Sequence, residues 1–185
     1  MAHKELSMQI IAGIAKGRKL SVPGSGTRPM TGRAKESVFS ILAGRFDGAR
    51  VLDLYAGSGS LGLEALSRGA ASAVFVEQGR EASRTIERNI ENVGLGGTVI
   101  RRSLPGAIAA VSGLFDVVFV DPPYADSDDS VTDTLRSMDE VLAPSGIIVM
   151  HRQARSNTEI PESLTCTDER RYGDAVVMIL ERLQS

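Results

Sequence analysis

The spacing of apolar residues differs between segments of this chain and predicts two kinds of secondary structure. From residue 50 onward, short apolar runs such as FDVVFV alternate with segments whose apolar residues recur every three or four positions. The wider spacing is clearest in residues 79–94, at Ala82, Ile86, Ile90 and Val93. Short apolar runs predict buried strands, and the wider spacing predicts amphipathic helices that pack against them.

The predicted strands and helices alternate as far as residue 151. We expect strands at 50–55, 72–77, 97–102, 115–120 and 145–151. We expect helices at 60–69, 79–94 and 130–142, a short helix near 104–111, and a closing β-hairpin at 164–171 and 175–182. This order predicts an α/β, Rossmann-like fold with a mostly parallel seven-stranded sheet, a C-terminal antiparallel hairpin and helices on both faces.

A smaller N-terminal extension precedes this alternation. Residues 8–23 predict two short strands around a Gly-Lys-Gly turn, and a glycine-rich loop follows. Thr31 is placed to cap a helix at 32–45, whose apolar face holds Ala34, Val38, Ile41 and Leu42. We therefore divide the chain into a hairpin-and-helix extension, residues 1–45, and a main domain, residues 46–185.

The charge distribution separates the same two parts. The net charge is −2, but residues 1–40 hold seven lysines and arginines against two glutamates, a local balance of +5. A basic segment on an acidic body is typical of a protein that meets a polyanion. A solvated basic arm with no such partner is the alternative.

The remaining composition favours a reducing, aqueous compartment. Cys166 is the only cysteine, which excludes an internal disulfide. No apolar run approaches the ~20 residues of a membrane span, and the first ten residues lack the apolar core of a signal peptide. We expect a cytoplasmic protein with no membrane association.

The segment DLYAGSGSLG predicts a ligand loop between a strand and a helix. Gly57 and Gly59 allow a sharp turn and a close backbone approach to a ligand, and Gly62 completes a G-x-G-x-x-G pattern typical of dinucleotide binding. Asp53, at the strand end, would repel a pyrophosphate but could accept a hydrogen bond from an ammonium group, directly or through water. The loop therefore favours a cationic methionine ligand over NAD.

Glu77 ends the next predicted strand, 24 residues after Asp53. An acid at that distance commonly receives ribose hydroxyls. This role suits NAD and S-adenosylmethionine (AdoMet) equally, because both contain adenosine.

The segment DPPY follows the apolar run 115–120 and favours AdoMet. To methylate an exocyclic amine, an enzyme must hold the amine through its N–H groups, so it needs acceptors. The Asp121 side chain and the Pro122 carbonyl can supply them, and Pro122 and Pro123 make the geometry stiff. Tyr124 offers a flat face on which an extruded base can stack.

The two histidines predict no metal site, since neither stands at a metal-ligand spacing. We expect His3 to lie in a disordered start and His151 to be a solvated strand end, with a place beside the pocket as the alternative. Arg170 and Arg171 fall on an expected exposed strand, from which they could touch phosphate.

Two sets of residues carry a resemblance to a known family. DLYAGSGSLGLEALSRGA together with DPPY resembles the class I AdoMet-dependent methyltransferases that modify exocyclic amines. The N-terminal IIAGIAKGRKLSVPGSGTRPMTGRAKESVFSIL is similar to the bacterial RsmD family, the 16S rRNA guanine-N2 methyltransferases. The resemblance extends from Met8 to about Leu183.

The resemblance implies AdoMet as cofactor, no metal, and 16S rRNA as partner, within an assembling small subunit. It assigns the methionine part of AdoMet to Asp53, Tyr55, Ala56, Gly57, Ser58 and Gly59. It assigns the ribose to Glu77 and the adenine to Gln78, Ser103 and Leu104. Asp121, Pro122, Pro123 and Tyr124 would hold the guanine amine. The RNA backbone would meet Lys16, Arg18, Lys19, Arg28 and Arg33. We expect a monomer by default, since scattered apolar surface positions predict no interface.

The chain departs from the RsmD pattern at five positions: Met30, Gly32, Gly79, Ser103 and His151. At the position of His151 the family tends to have a glutamate. These departures leave room for two alternatives. One is a DNA amino-methyltransferase with the same chemistry, although only about 45 residues lie outside the core. The other is a ribosome-associated binding module that has lost activity.

Overall fold

Seven strands form one sheet in the computed structural model, which describes residues 8–24 and 30–183. In chain order they are β3 (Arg50–Leu54), β4 (Ser72–Val76), β5 (Thr98–Ile100), β6 (Phe115–Val120), β7 (Leu142–Gln153), β8 (Leu164–Tyr172) and β9 (Ala175–Arg182). Their order across the sheet is β5-β4-β3-β6-β7-β9-β8. The first five run parallel, and β9 is antiparallel to both β7 and β8. The predicted sheet and C-terminal hairpin are confirmed.

The helices agree with the sequence pattern in place and differ in length. They are α1 (Gly32–Ile41), α2 (Ser60–Ser67), α3 (Arg80–Val93) and α4 (Asp128–Arg136), with 3₁₀ turns at Ile108–Ala110 and Ser137–Glu140. The expected helix at 130–142 is wrong at its end, because Ser137 donates its hydroxyl proton to the Thr134 carbonyl at 2.6 Å and the chain tightens into the 3₁₀ turn. Leu142 already belongs to β7, where it pairs with Phe115.

Both faces of the sheet are covered, which explains why the central strands are continuously apolar. Alternate residues of β6 face opposite ways: Val117 and Phe119 join the cluster under α1, α2 and α3. Val118 and Val120 join the cluster under α4. None of the helices within the described ranges is long and apolar enough to span a bilayer.

The N-terminal extension begins with a two-stranded ribbon, β1 (Met8–Gln9) and β2 (Lys19–Leu20). The chain between these strands is attached to α2 through Glu64, whose carboxylate is fully buried. It accepts hydrogen bonds from the backbone of Ile11 at 2.7 Å and of Ala12 at 3.0 Å. Arg68 Nε at 2.9 Å and Lys35 Nζ at 3.4 Å neutralise its charge.

A second buried polar side chain attaches the extension to the main domain. Asn89, on α3, donates to the carbonyls of Ser21 and Ser58, both at 2.9 Å, and accepts from the Ser21 N–H at 2.8 Å. Ser58 lies in the glycine loop after β3. The extension and that loop therefore share one hydrogen-bonding side chain.

Thr31 caps α1 as predicted, accepting from the Ala34 N–H at 3.3 Å. Further along α1, Lys35 is buried and donates to the Ser60 carbonyl at 2.9 Å. The beginning of α1 is thereby held against the beginning of α2.

Replacing Glu64 by Gln should destabilise the protein by about 3 kcal/mol, because the change leaves the buried charge of Lys35 and the partly buried charge of Arg68 without their counter-ion. Urea unfolding followed by circular dichroism measures the effect. Glu87→Gln, an exposed position on α3, is the matched control and should change stability by less than about 0.5 kcal/mol. Equal free energies of unfolding for Glu64→Gln and Glu87→Gln would show that the ion pairs and hydrogen bonds of Glu64 do not stabilise the fold.

Candidate active site

The carboxyl ends of β3, β4, β5 and β6 lie at one edge of the sheet, and the loops that follow them carry the predicted cofactor and catalytic residues. Leu54 pairs with Val76 on one side and Val120 on the other, so three of these loops begin side by side. The chain moves outward from β3 through β4 to β5, and from β6 to β7 on the other side. This edge between β3 and β6 is the switch point at which α/β sheets bind ligands.

The glycine loop turns at Tyr55, which has a left-handed backbone with φ of 57°. This conformation costs a non-glycine residue roughly 1–2 kcal/mol. The Tyr55 hydroxyl lies 2.9 Å from Thr134 Oγ1 on α4, and the Ala56 N–H donates to the Val76 carbonyl at 3.1 Å. Gly59, with φ of 75°, caps α2. Among residues 8–24 and 30–183, a Cβ atom at Gly57 would meet only the Tyr55 carbonyl oxygen, at 3.9 Å, apart from its chain neighbours. Within this part of the chain, the outer side of the loop leaves room for a ligand.

Asp53 lies beneath this loop and is 1% exposed. Its Oδ2 accepts from the Gly62 N–H at 2.9 Å. Burial raises the pKa of Asp53 to about 8, assisted by the charge of Asp121, while the Gly62 hydrogen bond and Lys35 oppose the rise. In a dinucleotide site the first N–H groups of the helix point at a phosphate. Here the third glycine donates to an internal acid instead, which argues against NAD.

Glu77 connects the glycine loop to the start of α3. Its Oε2 accepts from the Gly57 N–H at 2.9 Å, and its Oε1 accepts from the Gly79 N–H at 2.7 Å. Each carboxylate oxygen can accept more than one hydrogen bond. The side chain is thus held in place and still able to receive a pair of ribose hydroxyls, so the residues present fit AdoMet.

The other residues assigned to the cofactor border the same edge. Gln78 is exposed directly after Glu77, and Ser103 is exposed beyond β5. Leu104 packs against the α4-side core. Ser58 is 7% exposed and faces the extension, where its hydroxyl lies 3.6 Å from Met8 Sδ.

His151 contacts the DPPY segment, so its assignment as a solvated strand end is wrong. It is 3% exposed, and its Nδ1 lies 2.7 Å from Asp121 Oδ1. The Tyr124 ring lies 6.2 Å from the His151 ring. The strand prediction ended at residue 151, but β7 continues to Gln153, which pairs with Ala175 of β9. Residue 151 is therefore inside the sheet.

Arg152, which the sequence interpretation missed, holds the same segment from the other face of the sheet. This buried guanidinium donates to the Pro123 carbonyl at 3.4 Å, the Asp126 carbonyl at 3.2 Å and Asp128 Oδ1 at 2.8 Å. Hydrogen bonds from Thr158, Arg152 and the Asn157 N–H lower the pKa of Asp128 to about 2. The sequence feature that could have indicated this role is a histidine and an arginine directly after the apolar run IIVM.

The residues predicted to bind RNA fall in two places. Arg33 is exposed on α1, whose first turn lies beside the start of α2 and so near the ligand edge. Arg18 Nη1 donates to the Asn92 carbonyl at 2.6 Å, and Asn92 donates to the Lys19 carbonyl at 2.8 Å. Asn92 is near the end of α3, a helix about 20 Å long that begins at the ligand edge. Arg18 and Lys19 therefore lie at the opposite end of the domain.

The remaining basic candidates add little to either place. Lys16 is exposed in the same tip as Arg18, and Arg28 falls outside the described residues. Arg170 and Arg171 are exposed on β8, where they pair with Asp168 at 3.1 Å and Glu169 at 3.8 Å. Within residues 8–24 and 30–183, no group of three or more histidines, cysteines or acids is placed to hold a metal ion.

The sheet order and the loops at its ligand edge are those of a class I methyltransferase. The profile of the family described as Conserved hypothetical protein 95 matches residues 8–181. The chain belongs to this family, which is the RsmD family.

Curated relatives and solved structures agree with this assignment. Bacillus subtilis YlbH, provisionally named an rRNA methyltransferase, is 37% identical over 95% of this chain and 99% of its own length. Ribosomal RNA small subunit methyltransferase D of Haemophilus influenzae is 33% identical over 90% of this chain and 89% of its own. The solved structure of YhhF from Escherichia coli superposes with a TM-score of 0.84 at 32% identity, covering 95% and 98% of the two chains.

The raised pKa of Asp53 predicts a pH-dependent stability. The unfolded pKa is about 3.9, so the folded protein binds this proton more tightly than the unfolded chain does. Asp53 therefore favours folding most below about pH 4, and this contribution is lost as the pH rises to about 8. Relative to the Asp53→Asn variant, the free energy of unfolding of the wild type should fall by roughly 1 kcal/mol per pH unit between pH 5 and 8.

Urea unfolding at a series of pH values measures this difference. The exposed-site variant Asp129→Asn shows any general effect of removing an acid. A difference between wild type and Asp53→Asn that stays constant with pH would show that Asp53 does not hold its proton in the folded state.

Proposed function

We propose that this protein transfers a methyl group from AdoMet to the exocyclic N2 of a guanine in 16S rRNA, within an assembling small subunit in the cytoplasm. The observation that carries the proposal is the position of Asp121. This carboxylate begins the loop after β6, beside the glycine loop after β3, at the switch point of the sheet. An acceptor for an amine thus adjoins the loop proposed to hold the methyl donor.

The cofactor part of the proposal rests on three local features. The Glu77 carboxylate is held by the Gly57 and Gly79 N–H groups and suits a ribose. The described residues leave room for a ligand on the outer side of Gly57. Asp53 supplies negative charge under the loop, on the side where a sulfonium and an ammonium group would lie, and is proposed to lose its proton when that cation binds.

The chemistry requires orientation more than acid–base strength. When bound, AdoMet would supply the methyl group, and its sulfur would keep the electron pair of the broken carbon–sulfur bond. Asp121 and the Pro122 carbonyl accept the two amine N–H groups, so the nitrogen lone pair faces the methyl carbon. The proton lost by nitrogen passes to Asp121 and on to solvent. Alignment of this kind is worth several kcal/mol in the barrier.

The RNA part of the proposal rests on the relatives and on charge. The relatives from Haemophilus influenzae and Escherichia coli are both named ribosomal RNA small subunit methyltransferase D. The Escherichia coli protein is 43% identical over 63% of this chain and 60% of its own length. Phosphate contacts by Arg33 near the ligand edge, and by Lys16, Arg18 and Lys19 at the distant tip, would position an extended RNA without reading its sequence. The target base must be unpaired or flipped, because A-form duplex hides base edges.

A methyl-transfer assay with labelled AdoMet tests the reaction. Deproteinised 16S rRNA and partly assembled small subunits, both from cells lacking this activity, should be compared, and the product digested to nucleosides. We expect N2-methylguanosine, with more product from the assembling subunit. Asp121→Ala should lower the turnover number roughly 100-fold or more, while Asp129→Ala, an exposed acid on α4, should leave it unchanged.

Three other outcomes of this assay would reject parts of the proposal. Label in DNA but not in RNA would indicate a DNA amino-methyltransferase. A different methylated nucleoside would reject guanine N2 as the target. AdoMet binding without any transfer would favour a binding module.

Cofactor choice can be measured separately by the shift in melting temperature that a ligand causes by mass action. AdoMet should stabilise the protein and NAD should not. Glu77→Gln should weaken AdoMet binding about tenfold, because an amide cannot present two equivalent acceptors to Gly57 and Gly79. Glu87→Gln should bind normally. Stabilisation by NAD would overturn the assignment.

A further inference from the structure

We propose that His151 is a positioning residue for methyl transfer: its Nδ1–H bond fixes the Asp121 carboxylate so that Oδ2 meets the amine of the target base. The inference rests on the function proposed above. It assigns a role to a residue outside the glycine loop and the DPPY segment.

The contact between the two side chains is short and shielded. His151 Nδ1 lies 2.7 Å from Asp121 Oδ1, and the His151 side chain is 3% exposed while that of Asp121 is 20% exposed. In the proposed arrangement Nδ1 carries the proton of this bond and Asp121 Oδ1 accepts it. The exposed part of Asp121 is where a substrate can approach.

His151 is itself held by the sheet. It pairs with Val177 of β9, and two further residue pairs continue this ladder beyond it. The next residue, Arg152, faces the other way and binds the Pro123 and Asp126 carbonyls. Asp121 and the turn after it are therefore fixed by two consecutive residues of one strand, one on each face.

Asp121 also acts electrostatically on a neighbouring acid. Burial is the main cause of the raised pKa of Asp53, and the charge of Asp121 adds to it. A donor such as the His151 Nδ1–H adds no negative charge beside these two acids, whereas a third carboxylate there would repel them.

This bond restrains rotation of the Asp121 side chain. Misplacing a reacting group by about 1 Å can cost 100-fold in rate. We therefore expect loss of the bond to lower the turnover number by roughly 10- to 100-fold, with little effect on the affinity for AdoMet.

The first test needs no catalysis. The chain has two histidines, so His3→Gln leaves the ring of His151 as the only imidazole in the NMR spectrum. In the neutral ring, ¹⁵N shifts should identify the Nδ1–H tautomer, and Asp121→Ala should return the ring to the Nε2–H form that free histidine prefers. A ring that is Nε2–H in the unsubstituted site, or insensitive to Asp121→Ala, would overturn the proposal.

The second test distinguishes the orientation of Asp121 by the His151 hydrogen bond from the packing of the His151 ring. His151→Asn keeps a donor near the Nδ1 position and should retain a turnover number within about fivefold of the wild type. His151→Phe keeps the ring volume without a donor and should show the 10- to 100-fold loss, with the AdoMet dissociation constant within twofold. Equal turnover numbers for the Asn and Phe variants would reject the proposal.

The two tests distinguish this inference from the proposed function. If no guanine is methylated, the tautomer measurement still shows whether His151 orients Asp121. If His151→Phe fails to fold, the same measurement on the wild type and Asp121→Ala decides the question. If methylation proceeds but the His151 tautomer is Nε2–H, the proposed methyltransferase function is supported and the positioning role of His151 is rejected.

Discussion

The buried carboxylate of Glu64 is the constraint on which the arrangement of this protein depends. A charged group out of contact with water is tolerated only when it is paired and fully hydrogen-bonded. Glu64 meets this condition by combining two backbone N–H groups of the N-terminal segment with Arg68 of its own helix and Lys35 of α1. Lys35 also binds the Ser60 carbonyl, at the end of the glycine loop. The extension, α1 and the ligand loop are therefore joined by one electrostatic cluster, and Asn89 joins the extension to the loop a second time.

This connection gives the extension a part in shaping the ligand edge. Asn89 and Lys35 reach the carbonyls of Ser58 and Ser60, two residues apart on either side of Gly59. The carbonyl directions on the inner side of the loop are thus set by α1 and α3, while none of the described residues covers the outer side at Gly57.

The sequence predicts most of the fold because strand and helix periods differ so clearly. Apolar runs such as 117–120 are buried on both faces, and glycine follows β3 closely while proline follows β6. The loops were predicted to lie at one edge because parallel strands present all their carboxyl ends there.

The roles of His151, Arg152, Glu64 and Asn89 could not be predicted, because each depends on partners 24 to 68 residues away. A polar residue in an apolar segment shows that a partner exists without showing which one. The separation of Lys16 and Arg18 from the ligand edge was equally hidden, since it follows from the path of the extension along α3.

The end of β7 has a consequence for how this family can vary. Side chains alternate between the faces of a strand, so His151 reaches Asp121 on one face and Arg152 reaches Pro123 on the other. Inserting or deleting one residue upstream in β7 would exchange the two faces and break both contacts at once. A substitution at either position therefore affects one contact, whereas a shift in register affects both. Differences in length between related chains should accumulate beyond Gln153, in the connection to β8, where the number of residues is not tied to either face of the sheet.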